Sequence, residues 1–305
     1  MIELTESHCR DLCRAPRVQA ETSRLAGRRR FTLFIFWLAL LLGLALAGLT
    51  FWIAFTNDRL ILGVILASVV AVVAMGAAAL PISKVGRDLK LPVLETLAGQ
   101  SGLTYVSHDF APPVFEEASG PLFGSWLSSR HVSDLFQGAE EDGRRFAIYE
   151  AYLTRHAGKD IEVVFTGQIY AFQRRRHGSG PIVIVPDRGI FNFFNPAGLA
   201  ERVRFDGDPE FERRFQVYAE RPQDALALLG GETRRKFLEW RRGGRVMAWV
   251  GGEDVLVAIP GNKRFEPGSM FRGRTGAERV RLMFDDLRAS LATLRSLQAS
   301  LDPGP

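Results

Sequence analysis

The chain has 305 residues, of which 47% are apolar and 24% are charged, with 30 glycines and 15 prolines. This usage is that of an ordinary globular protein, so composition excludes a collagen-like, mucin-like or wholly disordered chain. The formal net charge is +5, yet residues 81–305 hold 31 basic against 29 acidic residues. Because a nucleic-acid-binding domain would carry a strongly basic stripe, we expect no nucleic-acid partner.

Residues 1–30 form a basic N-terminal tail with seven arginines and four acidic residues. Both cysteines of the chain, Cys9 and Cys13, lie in this tail. They lack nearby histidines or further cysteines, so they make a poor zinc site, and we interpret them as reduced thiols in a mobile tail. Acylation of either thiol is the alternative. The low cysteine count argues against an exported domain held by disulfides.

Two long apolar segments follow, residues 31–55 and 60–80, and together they predict a transmembrane hairpin over residues 31–80. They hold 25 and 21 uncharged residues, enough to cross a bilayer core of about 30 Å as helices. Pro81 is predicted to end the second helix. A cleaved signal peptide is disfavoured, because the first segment is too long and a second one follows within five residues.

Basic residues flank both outer ends of this hairpin, whereas the short loop between the segments carries a single arginine. By the positive-inside rule, both termini are expected in the cytoplasm. The flanking cations are the candidate binding site for anionic lipid headgroups. They are Arg28, Arg29, Arg30, Lys84, Arg87 and Lys90.

Small residues recur at intervals of four in both apolar segments, for example Gly43 with Ala47 and Gly63 with Ala67. Such faces let helices approach closely, which suits packing within the hairpin or, alternatively, dimerisation. Neither segment contains an ionisable side chain. The two segments therefore lack the residues that a proton path or an ion-coupled transporter needs.

Residues 81–102 are predicted to be a linker with a short helix over 92–100, and residues 103–272 a cytoplasmic domain. Blocks rich in Val, Ile, Tyr and Phe predict strands. Between some of these blocks, residues that typically start a helix are followed by glycine pairs that typically end one, and these predict helices. These blocks favour an α+β fold with a largely antiparallel sheet. The predicted strands are residues 103–107, 145–153, 161–172, 181–185, 202–205, 215–218, 245–250 and 255–260.

Two polar motifs of this domain invite a functional interpretation. Arg174, Arg175 and Arg176 lie at a predicted hairpin tip, where contact with lipid headgroups competes with a merely solvated turn. The acidic segment 206–212 resembles a metal or acid–base cluster, but Asp208 followed by Pro209 is typical of a helix N-terminus. We therefore expect Asp208 to be a capping residue.

Residues 273–305 are predicted to form a long C-terminal helix that begins with a capping box between Thr275 and Glu278. Its leucines recur with a seven-residue rhythm, which suits a short coiled coil or packing against the chain's own domain. Two helices are expected before it, near residues 222–229 and 232–242.

The order and spacing of several short motifs resemble the DUF3137 family, sometimes labelled galanin-like, of bacterial membrane proteins of unknown function. The resemblance covers most of residues 81–270 and implies an α+β cytoplasmic domain on a membrane hairpin, with no established chemistry. This chain departs from the pattern at the basic segment 174–180 and at Arg221-Pro222. The matching motifs are residues 103–105, 115 with 119 and 122–123, 133–138, 164–168, 184–187, 208–211, 215–218 and 265–267.

These observations favour a membrane-anchored, non-enzymatic adaptor or scaffold at the cytoplasmic face, with a protein or lipid partner and no cofactor or metal. A homo-oligomer is a further expectation. The alternative is a membrane-proximal enzyme, for which no catalytic signature occurs and whose candidate groups are scattered. Those groups are His108, His131, Asp134 and the segment 206–212.

Overall fold

The computed structural model describes residues 4–57, 59–124, 126–175, 180–187, 201–241 and 244–302. Within these ranges the fold is α+β, with an antiparallel sheet and a long C-terminal helix, as predicted. The helices are α1 (Glu6–Arg14), α2 (Pro16–Thr56), α3 (Leu60–Gln100), α4 (Phe115–Phe123), α5 (Pro209–Glu212), α6 (Pro222–Leu228), α7 (Gly231–Arg241) and α8 (Gly276–Leu301). The strands are β1 (Thr104–Val106), β2 (Ser129–Ala139), β3 (Arg145–Ala157), β4 (Asp160–Gln173), β5 (Ile182–Pro186), β6 (Glu201–Val203), β7 (Phe215–Ala219), β8 (Met247–Gly251) and β9 (Asp254–Pro260).

The chain divides into two compact units. The first, mainly residues 98–264 and 286–302, contains the whole described sheet and is called the sheet unit below. The second, residues 5–97 and 265–285, contains the two long apolar helices and is called the hairpin unit.

The sheet unit is built on nine antiparallel strands in the order β1-β2-β3-β4-β9-β8-β5-β7-β6. Successive side chains of a strand point to opposite faces, so each central strand contributes to two apolar layers. Ile169 and Ala171 of β4 pack with α4 on one face. Gln168 lies on the other face, where its Nε2 donates to Ser290 Oγ of α8 at 3.0 Å. The central strands are therefore buried on both faces.

Two elements of the sheet unit were not predicted. Strand β2 carries a bulge between Ser133 and Phe136, and Asp134 within it adopts a φ of 57°, so the alternation of polar and apolar residues is broken there. Helix α4 contains Pro121 and begins after Val114, whose φ is 61°. Both irregularities hide the periodicity on which a sequence-based prediction depends.

The hairpin unit contains two antiparallel helices of 41 residues each, α2 and α3. Both are long and apolar enough to cross a membrane. Gly43 lies against Ala74, and Gly63 against Ala54, so closely that an added Cβ would overlap the facing Cβ. The small residues thus serve packing between the two helices of one chain.

Helix α3 does not end at Pro81 as predicted, but continues through Pro81 and Pro92 to Gln100. Buried side chains recur every three or four residues over this extension, among them Val85, Leu89 and Val93. This apolar stripe offsets the loss of one backbone hydrogen bond at each proline.

The N-terminal tail is helical where mobility was expected. Cys9 lies on α1 and is only 5% exposed, while Cys13 is half-buried. Burial is the main reason why the pKa of the Cys9 thiol is raised to about 11, and the neighbouring Cys13 adds to the effect. Cys9 is therefore a packed apolar side chain and a poor nucleophile.

Candidate functional site

Six of the nine predicted headgroup-binding cations belong to the hairpin unit, at the open end of the α2–α3 pair. Arg28 bridges the two helices, with its Nη1 at 3.5 Å from both Glu21 Oε2 and Asp88 Oδ2. Lys90 is largely buried and its Nζ lies 2.9 Å from Glu266 Oε1. The charges of Arg28 and Lys90 are thus partly neutralised within the unit.

Arg30, Lys84 and Arg87 are exposed, and the described part of the chain shows no ion pair for any of them. Arg30 follows Arg28 on α2, and Arg87 precedes Asp88 on α3. Because Arg28 and Asp88 are in contact, these exposed cations lie at the same level of the helix pair. We call Arg30, Lys84 and Arg87 the basic surface.

A loop of residues 265–274 is hydrogen-bonded to Arg29 of α2, next to the basic surface. Its Nε donates to the carbonyl of Met270 at 2.6 Å, and its Nη2 to the carbonyl of Phe271 at 3.4 Å. Phe271 is 51% exposed, and its ring packs edge-on against Phe36 of α2 with 5.1 Å between centroids. Phe36 lies in the first apolar segment, so the loop adjoins the level at which that segment begins.

Arg279, in the first turn of α8, holds the same loop from inside. Its side chain is fully buried, and its guanidinium donates to four backbone carbonyls at 2.7 to 3.1 Å. Burial is the main cause that lowers the pKa of Arg279, with Arg29 and Arg274 adding to it. The four acceptors are the carbonyls of Pro267, Gly268, Ser269 and Arg272.

Two of the other three predicted cations, Arg174 and Arg175, directly follow β4 in the sheet unit. Arg174 is 8% exposed, and its backbone N–H donates to the carbonyl of Glu253 at 2.8 Å. A headgroup would reach Arg174 only if the side chain left this buried position. Arg175 is half-exposed, with its Nε 3.4 Å from Asp142 Oδ2. Arg176 lies outside the described residues.

The residues proposed for an enzymatic site either hydrogen-bond to neighbouring residues or lie in different parts of the fold. Asp134 is buried in the β2 bulge and accepts a hydrogen bond from Tyr105 Oη at 2.7 Å. His108 Nδ1 lies 2.6 Å from Ser107 Oγ. Among the described residues, no group of three or more His, Cys, Asp or Glu side chains could hold a metal ion.

The capping role expected of Asp208 is confirmed. Its Oδ1 accepts the backbone N–H of Phe211 at 3.2 Å, and Pro209 occupies the first turn of α5. The capping box of α8 is confirmed as well, since Glu278 N–H donates to Thr275 Oγ1 at 3.2 Å and Thr275 N–H donates to Glu278 Oε2 at 2.6 Å. The acidic segment 206–212 is thus explained by helix initiation.

The loop around Phe271 was not singled out from the sequence. The available signal was Arg279, a cation on the face of α8 that also carries the buried side chains of Val280 and Met283. A buried arginine needs several hydrogen-bond acceptors, and a loop next to the helix supplies them as carbonyls.

Comparison with known proteins gives little beyond the family. No curated protein matches the chain. One solved structure that resembles it is the mycobacterial trehalose monomycolate transport factor A, TtfA, with 14% sequence identity and a TM-score of 0.35. The alignment covers 70% of this chain and 96% of that one, and is too distant to inform fold or function.

The model of the DUF3137 family, described as a protein of unknown function, matches residues 163–298. The matched part runs from within β4 into the last turns of α8, and includes five of the motifs that carried the resemblance, from 164–168 to 265–267. Residues 163–298 therefore match the DUF3137 family, the family that the motifs of the chain indicated.

Proposed function

We propose that the protein is a non-enzymatic adaptor anchored in the bacterial inner membrane, with both termini in the cytoplasm. In this proposal the basic surface and the 265–274 loop bind anionic headgroups at the membrane surface, and the sheet unit binds a protein partner. The observation that carries the membrane part is the position of Phe271, between Arg29 and the apolar segment that begins near Phe36.

The loop has the composition and position of an interfacial anchor. Segments that lie in the headgroup region typically bury large apolar side chains such as Phe or Leu and carry Lys or Arg beside them. Phe271 supplies an exposed ring, and Arg272 and Arg274 beside it are exposed or half-exposed cations. Since Arg279 and Arg29 fix the loop backbone, little conformational entropy remains to be lost when it contacts lipid.

The basic surface supplies the electrostatic part of the proposal. A Lys or Arg near an anionic membrane surface contributes about 1 kcal/mol of attraction, and less when an acidic neighbour already neutralises it. Arg28 and Lys90 are ion-paired within the unit, so their attraction to lipid headgroups is weakened. Arg30, Lys84 and Arg87 are not weakened in this way by any ion pair in the described part of the chain. We therefore assign most of the headgroup attraction to the three exposed cations.

Spin-label depth measurement tests the loop. The full chain is reconstituted in vesicles with Cys9→Ala and Cys13→Ser, and a single spin label is placed at Phe271→Cys. We expect this label to be shielded from a water-soluble nickel complex and accessible to oxygen. A label at Leu226→Cys is the control, because Leu226 lies on α6 of the sheet unit and its side chain is 49% exposed, an exposed fraction similar to the 51% of Phe271. Equal nickel accessibility at the two positions would contradict the proposal.

Lipid selectivity tests the basic surface. The triple variant Arg30→Gln, Lys84→Gln, Arg87→Gln is reconstituted in mixed vesicles, and the enrichment of labelled phosphatidylglycerol over phosphatidylcholine around the protein is measured by energy transfer. We expect the enrichment to fall several-fold. Neutralising three exposed cations of the sheet unit, Lys159, Arg204 and Arg221, should leave it unchanged. The same enrichment in both triple variants would overturn the headgroup assignment.

Proximity labelling in native membranes tests the adaptor part. A labelling enzyme fused after the C-terminus should modify one protein reproducibly, at a level that falls when surface residues of the sheet unit are changed. If no protein is enriched over a control with the hairpin alone, protein binding is not the role of the sheet unit.

A further inference from the structure

The sheet unit contains a pocket of about 630 Å³ that none of the features above uses. It lies where β1, β2, β3, β4 and β9 reach one end of the sheet, on the face that α4 covers. All of its lining residues belong to the sheet unit. Its volume is within the range of pockets that hold small molecules.

The pocket exists because two small side chains face each other on neighbouring strands near this end of the sheet. The register places Ala147 of β3 opposite Ala171 of β4. One pair further into the sheet, on the same face, Tyr149 lies opposite Ile169, and these larger side chains fill the space. The alanine pair is therefore the floor of the pocket.

A row of polar side chains crosses the strands at the mouth of the pocket. Arg145 begins β3 and is hydrogen-bonded to Gln173 at the end of β4, which lies opposite Asp254 of β9. Gln173 connects its neighbours, since its Oε1 accepts the backbone N–H of Arg145 at 2.9 Å and its side chain lowers the pKa of Asp254, the residue opposite it on β9. The β3–β4 hairpin and the distant strand β9 thus place their functional groups in one line.

Helix α4 supplies the facing wall. Its N-cap Val114 adopts a φ of 61°, a conformation that strains a β-branched residue, and Tyr149 Oη donates to the neighbouring carbonyl of Pro113 at 3.1 Å. This arrangement brings Glu117 of α4 to the lining of the pocket. The backbone is thus held in an unfavourable conformation at the wall of the pocket.

The charges of the pocket favour a cation. Its lining contains two carboxylates, Glu117 and Asp254, and one guanidinium, Arg145. Burial raises the pKa of Asp254 most, Glu253 and Glu117 raise it further, and Arg145 lowers it. The negative charge at the pocket is therefore only partly compensated, and a bound cation would relieve the repulsion between the carboxylates.

We infer that this pocket binds a small organic cation, with the ammonium group held by Asp254 and Glu117 and the aliphatic part above Ala147 and Ala171. A metal ion is disfavoured, because the described residues show no group of three acidic, histidine or cysteine ligands. Charge-assisted hydrogen bonds from an ammonium to carboxylates would provide the specificity, and the small apolar floor would limit the size of the ligand.

The experiment is calorimetric titration of the full chain in phosphatidylcholine nanodiscs with spermidine as the probe, and with N1,N8-diacetylspermidine and glutarate as comparison compounds. Empty nanodiscs correct for binding to lipid. We expect saturable binding of spermidine, much weaker binding of the diacetylated compound, and none of glutarate. Tighter binding of glutarate, or no saturable binding of spermidine, would overturn the inference.

Variants locate the binding. Asp254→Asn and Glu117→Gln should each weaken spermidine binding about tenfold or more, whereas Glu210→Gln, an exposed carboxylate of α5 outside the pocket, should not. Glu117 is exposed, so its replacement carries little risk for folding, and Ala171→Val should weaken binding by filling the floor. If the three pocket variants fold and bind like the unaltered chain, the cation binds elsewhere and the inference is wrong.

Discussion

Asp208 Oδ2 and Arg234 Nε lie 2.8 Å apart, and this ion pair joins the cap of α5 to α7. Asp208 also caps α5 through Phe211 N–H. We expect Asp208→Ala to lower the free energy of unfolding by about 1 to 2 kcal/mol, because it removes both interactions. Asp208→Asn retains a capping side chain and should cost clearly less. Urea unfolding of both variants measures the difference, and equal losses would show that the cap contributes little.

Arg279 is expected to be the most sensitive position of the hairpin unit. Arg279→Met leaves four backbone carbonyls without their donor, and should cost about 3 kcal/mol or more. Arg279→Lys keeps the charge but offers fewer directed donors, so its loss should be intermediate. Faster hydrogen exchange of the backbone amides of residues 268–274 is the readout. Unchanged exchange in the methionine variant would contradict the role of Arg279.

Cys9 should alkylate slowly, with a rate that still rises between pH 8 and 10. Its pKa is raised to about 11, so only on the order of one thiol in a thousand is ionised at pH 8. Mass spectrometry after timed exposure to iodoacetamide follows the site. In urea, where Cys9 is no longer buried, the alkylation rate should stop rising once the pH exceeds the usual pKa of a thiol. The same pH profile with and without urea would contradict the effect of burial.

Asp254 is expected to reduce stability at neutral pH. Its pKa is raised in the folded protein, so it is ionised more easily in the unfolded chain. Protonation of Asp254 favours the folded chain. This contribution to the free energy of unfolding is fully present below the ordinary pKa of an aspartate, and it is lost as pH rises through the raised pKa of the folded protein. Asp254→Asn should therefore be more stable than the unaltered chain at pH 7, by a margin that shrinks towards pH 3. A margin independent of pH would contradict this sign.

The helix pair should depend on Gly43 but not on Gly48. A side chain at Gly43 overlaps Ala74, whereas the space around Gly48 is open. Gly43→Leu is therefore expected to lower the thermal unfolding midpoint of the chain in detergent, and Gly48→Leu to leave it within error. If both variants unfold alike, close packing at Gly43 is not what holds α2 to α3.

The strands with regular alternation were predicted close to their observed bounds, as β4 and the β8–β9 hairpin show. Helix α8 and the cap at Asp208 were also predicted, because capping signals act within a few residues. The continuation of α3 through Pro81 was not predicted, because it depends on the packing of side chains beyond the proline. Likewise, the line from Arg145 through Gln173 to Asp254 depends on strand register, which no local pattern reveals.

The short outer strands of the sheet have a consequence for how it can be recognised. β1 and β6, which end the sheet on its two sides, have only three residues each. A peptide that added a strand beside β1 or β6 would therefore find very few backbone groups to pair with there. The longer free side of β2, residues 129–133, which β1 leaves without a strand partner in the described part of the chain, is the place where strand addition is expected instead.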